Sequence, residues 1–358
     1  MQKYSFSKDT NSAFSEALNS RVNSFFKMNK IDRRANQEMV NKTVFIVGYY
    51  FTIYLIILFG GIENIPLLFV LWAVFGLGQA FVGITVMHDF VHGSYSKNKY
   101  IKLILEIPVI AIGVESKIWK IEHNVLHHTY PNVSGLDDDI ETRFVFRFTK
   151  DQPKKWFHKY QHLYATFIYG LLIIEWVTVK DFMKIFKYKK MGFIQPGLEF
   201  ISILFSVLIK KFIFFLIFLI VPMLYLDLSN GMVISMFLTM LVVAGVVMTI
   251  IFQTAHVVPI CTFRDKNDNF ERENWHIHQL MTTSNFAMDN KLLTYFFGGL
   301  NYQIEHHLFP DVSHVHYPKI STIIKNTAKE FNTPYIVHDT FRQAVIGHYS
   351  LLKELGKI

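Results

Sequence analysis

Two long stretches almost free of charge constrain this chain most. Between residues 43 and 87 the only ionisable group is Glu63, in the turn GGIENIP (60–66). Residues 212–226 carry no charge, the turn LDLSNG (226–231) holds only Asp227, and 232–255 again carry none. About 20 helical residues cross the hydrocarbon core of a bilayer, so each stretch has the length of a helical hairpin. The expected crossings are 43–61, 65–88, 210–226 and 232–255. Residues 200–209 either extend the third crossing or lie at the interface. Residues 101–114, interrupted by Glu106 and Pro108, are too short to cross and are expected to be interfacial. A soluble protein burying both hairpins is the competing picture, and their length argues against it.

Charge placement gives the orientation. Both short outer turns lack Lys and Arg, whereas Lys27, Lys30, Arg33, Arg34 and Lys42 precede the first crossing and Lys210 and Lys211 the third. The positive-inside rule then puts both termini and the long middle region in the cytoplasm. Residues 1–41 show no signal-peptide pattern. The net charge of +8 suits anionic lipid. Nucleic acid is excluded as a partner, because there is no glycine-rich phosphate loop, aromatic RNA-binding box or zinc-finger spacing. With one cysteine, Cys261, neither an intrachain disulfide nor a thiolate-rich metal site is possible. The reading is an all-α integral membrane protein: four transmembrane helices in two hairpins plus a cytoplasmic helical cap. It divides into an N-terminal segment (1–41), a membrane domain (42–320) and a C-terminal segment (321–358).

Sixteen histidines supply the chemistry. MHDFVH sets His88 and His92 four residues apart, so on a helix they share a face and can reach one metal. IEHNVLHH sets His123 and His127 likewise, with His128 beside them. QIEHH adds His306 and His307, and His256 stands at the inner end of the last crossing. Gln303 occupies the position where a third histidine of the last box would lie. Eight histidines and one glutamine exceed the four ligands of a single zinc and suit two ions sharing a site. Thiolate-free imidazole ligation is compatible with iron, copper or zinc. The pair His158 and His162 has the same spacing without a third histidine and reads as surface or interfacial. WHIHQ (His276, His278) and HVH (His314, His316) read as outer or surface groups, and His338 and His348 as incidental. Asp138, Asp139 and Glu305 lie beside the boxes and are candidates to orient the ligand rings, as carboxylates commonly do.

In order and spacing, HDFVH (88–92), HNVLHH (123–128) and QIEHH (303–307) resemble the membrane fatty acid desaturase family. The likeness spans roughly residues 40–320 and includes FQTAHV and the stretch 275–287. It implies two iron ions at the cytoplasmic face and O2 as co-substrate, removing two hydrogens from an acyl chain to leave a cis double bond. His88, His92, His123, His127, His128, His256, His306 and His307 match its ligand positions. Gln303 matches the glutamine of front-end desaturases, which act between an existing double bond and the carboxyl end. The expected substrate is an acyl-lipid or acyl-CoA. No haem-binding HPGG motif of a fused cytochrome b5 is present, so a separate donor, ferredoxin or cytochrome b5, is expected to supply electrons. Two alternatives stay open: a fatty acyl hydroxylase on the same scaffold, and a non-enzymatic membrane metal-binding or transport protein.

Overall fold

The structure is a computed structural model that describes residue 6 and residues 12–141, 144–268 and 273–358. Of the N-terminal segment, residues 1–5 and 7–11 lie outside the described residues. The fold is helical, in the order α1 (Ser12–Met28), α2 (Gln37–Phe59), α3 (Ile65–His92), α4 (Lys99–Ala111), α5 (116–127), α6 (Trp156–Lys190), α7 (Leu198–Tyr225), α8 (Asn230–His256), α9 (Trp275–Thr282), α10 (Lys291–Phe296), α11 (Gln303–Leu308), α12 (Tyr317–Glu330) and α13 (Phe341–Lys357).

Local sequence sets the ends of these helices. Asn36, Asn64 and Ser229 cap α2, α3 and α8, their side chains accepting from the amides of Met39, Leu67 and Met232. Thr340 and Gln343 form a reciprocal capping box on α13. Four helices contain π-helical turns: 82–87 just before His88, 120–127 across the second histidine box, 176–180 inside α6, and 216–220 inside α7. A π turn misaligns carbonyls, and in a membrane each needs a partner. The Tyr54 hydroxyl donates to Ile217 O in α7. Tyr50 and Tyr49 serve Ala111 O and Val74 O in the same way, each at 2.8 Å.

Among the described residues five helices, rather than the four expected, are long and apolar enough to cross a membrane: α2, α3, α6, α7 and α8. The unexpected one is α6. Its run without Asp, Glu, Lys or Arg, residues 160–174, contains His162 and is followed by Glu175, Lys180, Asp181 and Lys184 on the same helix, with no paired crossing beside it in sequence. Residues 200–209, left open in the sequence, are continuous with the third candidate crossing: α7 runs unbroken from Leu198 through the lysine pair at 210–211. Those lysines are buried among acids. Lys210 pairs with Glu106 and with Glu115 at 3.1 Å, and Lys211 with Asp181 at 2.8 Å. Paired burial lowers the cost of charge inside the bundle.

Glycines allow the central crossings. A Cβ on Gly76 of α3 would collide with Met240 O of α8, and one on Gly245 of α8 would lie 2.7 Å from Tyr169 O of α6. Helices α3, α6 and α8 therefore pack backbone to backbone. Tyr50, Tyr54, Trp72, Phe75, Phe214 and Phe218 fill the main apolar core between the hairpins. The expected end segments are built into the layer that carries the histidines. Phe14, Leu18, Val22 and Phe26 of α1 share a buried cluster with Ile304 and Leu308 of α11. Helix α13 packs on α8 through His348, whose Nδ1 donates to Val257 O at 2.8 Å while Nε2 meets the Tyr169 hydroxyl at 2.6 Å. Two short parallel pairs, Val133–Ser134 with Arg264–Asp265 and Asn285–Phe286 with Val337–His338, tie distant loops around the boxes.

Candidate metal centre

The nine residues expected to hold metal come together beside the inner ends of α3 and α8. Helix α3 brings His88 and His92, α8 ends at His256, α5 lays the second box across them, and α11 closes the far side with Gln303, His306 and His307. All are buried except His92, which is partly so. Two main groups form. His88, His92, His123 and His306 have ligand atoms within 4.8 Å of one another, and so do His127, His256 and His307. His128 lies between them. Its Nε2 is 2.9 Å from that of His306, and its ring stacks on His307 with centroids 4.3 Å apart.

The second box does not act as a plain i, i+4 pair. His123 and His127 fall into different main groups because α5 is π-helical here. His128 N bonds His123 O at 2.9 Å, a five-residue step, so His123 and His128 share a face with Nε2 atoms 3.3 Å apart. Trp119 stacks on His123 at 4.3 Å and closes that flank.

The protonation of the second group follows from its neighbours. His127 Nδ1 faces Asp137 Oδ1 at 3.0 Å, His256 Nδ1 faces Thr282 O at 3.2 Å, and His307 Nδ1 faces Gln279 Oε1 at 2.8 Å. Each partner is an acceptor, so each Nδ1 carries a proton and each Nε2 is left facing the cage. Those three Nε2 atoms are buried and have no partner among the described residues. Three unpartnered ring nitrogens come together, and buried polar groups left unpaired are costly. A cation satisfies all three, so the residues fit a bound metal ion.

In the first group Nε2 atoms face each other directly: His88 to His123 at 3.2 Å, and His128 to both His123 and His306. The Tyr317 hydroxyl lies 3.1 Å from His306 Nδ1 as an outer partner. Burial holds His123, His128, His306 and His307 well below the ordinary imidazole pKa, the neutral state that ligation needs. His127 differs. Burial opposes its charge too, but Asp137 and Asp139 outweigh burial and lift it to about 9. The same carboxylates favour a metal cation there.

Gln303 is 1% exposed, and both its amide atoms are buried without a partner among the described residues. It borders His256. Of the carboxylates expected to orient the rings, Asp139 lies 3.4 Å from His127 Nδ1 and 3.7 Å from His123 Nδ1. Asp138 turns away to Lys184, Lys187 and the Tyr188 hydroxyl. Burial opposes its ionisation, but the two lysines bring its carboxyl down to about 2. Glu305 also faces away, accepting from Tyr335 at 2.7 Å and Asn285 at 2.8 Å, and burial lifts it to about 7. Among the described residues the carboxylate nearest a ring of the cage is Asp137, the first of three consecutive acids. Its position is fixed by the amides of Asn132 and Asp139, 2.8 and 2.9 Å away. Asn132 has φ +58°, and its side chain also binds His256 O at 2.9 Å.

Five of the eight histidines outside the cage are held by contacts within the fold. His158 is buried and not on the surface, facing Phe144 O at 2.8 Å. His278 faces Pro131 O, and His316 faces Arg34 O. His314 bridges Lys42, 2.8 Å away, and Asp89, 2.9 Å away. His348 anchors α13 as described above.

A cavity of about 980 Å³ opens against the cage, bordered by His123, His127 and His256. Its walls are apolar along α6 and α8, with Ile168, Leu172, Trp176, Met248 and Phe252, and charged near Asp138, Lys184 and Lys187.

The fatty acid desaturase family model matches residues 64–338. An acyl-lipid (8-3)-desaturase of Physcomitrium patens is 34% identical over 97% of this chain and 72% of its own length. An sn-1 linoleoyl-lipid 6-desaturase of Arthrospira platensis is 33% identical over 96% of this chain and 92% of its own. An acyl-lipid (8-3)-desaturase of Mortierella alpina is 33% identical over 96% and 78%.

Proposed function

The chain belongs to the fatty acid desaturase family, and on that premise we propose that it is an O2-dependent front-end desaturase acting on lipid-linked acyl chains, with two irons in the histidine cage. The observation that carries the reading is the convergence of three unpartnered Nε2 atoms, from His127, His256 and His307, beside a cavity lined by apolar side chains. When bound, the two irons supply the O2-dependent oxidising power that removes two hydrogens from an unactivated acyl segment. His88, His92, His123 and His306 would hold one ion, and His127, His256 and His307 the other, with His128 between, and Gln303 would support the second group. Asp137, Gln279 and Tyr317 fix ring orientation from outside. Trp119, Phe252 and Trp176 keep water from the reacting segment.

Four helices cross the membrane and α6 lies along its surface. Both ends of α6 return to the cage side: His158 packs on Gly356 of α13, and Lys180 pairs with Glu122 of α5 at 2.8 Å. The positive-inside rule puts this face in the cytoplasm. There the basic net charge steers an acidic electron-donor protein.

The test is the fatty-acid profile of a heterologous host expressing the chain and fed linoleic acid. A new double bond between the existing ones and the carboxyl end is expected. A hydroxylated product without new unsaturation overturns the reading. Purified protein should carry about two irons per chain. Gln303→Ala should insert normally and lose about tenfold in conversion, the scale of a ligand-supporting contact. Full activity and full iron in that variant would show the glutamine to be incidental.

A further inference from the structure

One wall of the cavity is a loop with no regular structure of its own. Residues 144–155 carry no helix or strand. Phe144, Val145, Gln152 and Pro153 line the cavity, and none of the four is buried. The backbone polar groups of such a loop need partners as much as those of a helix do. Here side chains supply them. Gln152 Oε1 accepts from Phe148 N at 2.8 Å, and its Nε2 donates to Ile140 O at 3.0 Å. Gln161, buried in the first turns of α6, accepts from Arg147 N at 2.8 Å and donates to Arg147 O at 3.1 Å.

Helix α13 holds those side chains in turn. Arg147 is buried, and its guanidinium donates to three carbonyls: Leu355 O on α13 and Gln152 O, each at 2.8 Å, and Lys150 O at 2.6 Å. Leu355 O lies in the last turn of α13, where carbonyls lack a partner within the helix. Gln161 Nε2 also donates to Leu352 O on α13 at 2.7 Å. Gly356 lets the two backbones meet, since a Cβ there would stand 2.2 Å from His158 O. Phe146 and Phe148 of the loop share a buried cluster with Leu351, Leu352 and Leu355 of α13. Through His348 the same helix holds Tyr169 of α6 and Val257, the residue after His256. One helix thus joins this wall of the cavity to the inner end of α8, where the cage begins.

We propose that α13 is a clamp that sets the distance between the cage and the 144–153 wall, and thereby decides which carbon pair of the acyl chain stands at the cage. Arg147, Gln161 and Gly356 are its positioning residues, and none of them lines the cavity. The scale fits. A methyl carbon on residue 356 needs roughly 3.3 Å from a carbonyl oxygen, so the two backbones must part by about 1 Å. An extended hydrocarbon with bonds of about 1.5 Å advances roughly 1.3 Å per carbon. Moving the wall by that much moves the bound chain by about one carbon. The inference rests on the desaturase reading and adds what fixes the position of the new double bond.

The experiment compares wild type, Gly356→Ala, Arg147→Lys and the double variant in a host fed linoleic acid. Double-bond positions are read by gas chromatography and mass spectrometry, and iron is counted in the purified protein. Position is a ratio within one sample, so expression level cancels. Wild type should place its new double bonds at one carbon pair. In Gly356→Ala the fraction at neighbouring pairs should rise about 10-fold, because a misplacement of about 1 Å costs up to about 100-fold at the correct pair. Arg147→Lys keeps the charge and loses the three-way fork, so it should give a smaller rise in the same direction. Iron per chain should stay at the wild-type value in both. The double variant should shift no further than Gly356→Ala, because both changes open one clamp. An unchanged position profile in both single variants overturns the proposal, whether or not conversion falls. So do independent, multiplying shifts in the double variant. Loss of protein or iron in every variant also overturns it, by assigning α13 to the fold alone. A wild type that makes no new double bond sinks the desaturase reading itself, a separate result.

Discussion

The two halves of the cage are built differently. In the group of His127, His256 and His307, each ring leans on a buried acceptor: a carboxylate, a backbone carbonyl and an amide oxygen. Their donor atoms are fixed before any ion arrives. In the group of His88, His92, His123 and His306, the Nε2 atoms of His88 and His123 face each other, that of His92 has no partner among the described residues, and the outer partners are the Tyr317 hydroxyl on His306 and, at 3.7 Å, Asp139 on His123. There the rings can trade a proton among themselves, and the metal itself must order them. One half is oriented by the protein and the other by its ion, so the first should bind more tightly and the second should be the more labile.

Substitutions can break or sharpen that contrast. The largest effect should come from His128→Ala, because His128 touches both groups. Both irons and all measurable conversion should be lost, more than about 100-fold. One iron remaining by metal analysis would show the halves to be independent. Next comes Asp137→Asn, which keeps the shape of the side chain and removes its charge. Iron affinity or activity should fall about 10- to 100-fold, and a chelator titration should show the loss in one of the two irons. Tyr317→Phe should cost only a few-fold, on the order of one neutral hydrogen bond. Equal losses in Asp137→Asn and Tyr317→Phe would erase the asymmetry. Smallest of all, Asp138→Asn should leave iron content within about 2-fold. It should lower the thermal midpoint by about 2–4 °C through its lysine contacts.

The hairpins could be read from the sequence because an uncharged run of that length has few other uses. The boxes could be read because imidazoles at helical spacing are uncommon by chance. Helix α6 escaped because a helix with an apolar face and charges at its end looks like any amphipathic surface helix. The pairing of His123 and His127 with different partners escaped because five-residue hydrogen bonding inside α5 leaves no mark in the residue pattern. The orienting acid lay one position from the residues expected. In LDDDIET any of three aspartates can face inwards, and a turn built on the left-handed Asn132 chooses Asp137. His348 was misjudged because its partners, Tyr169 and Val257, come from helices far away in sequence.

Helix α11 contributes a ring to each half of the cage, and it lies beyond every membrane-spanning candidate in the chain. The Nε2 atoms of His128 and His306 meet across 178 positions. Contacts of such high order form late in folding, after local helices and hairpins. During synthesis the first two boxes emerge and wait, facing each other without their third wall. On the proposed reading, metal uptake would be the closing event of biogenesis, performed by a chain already committed to the bilayer.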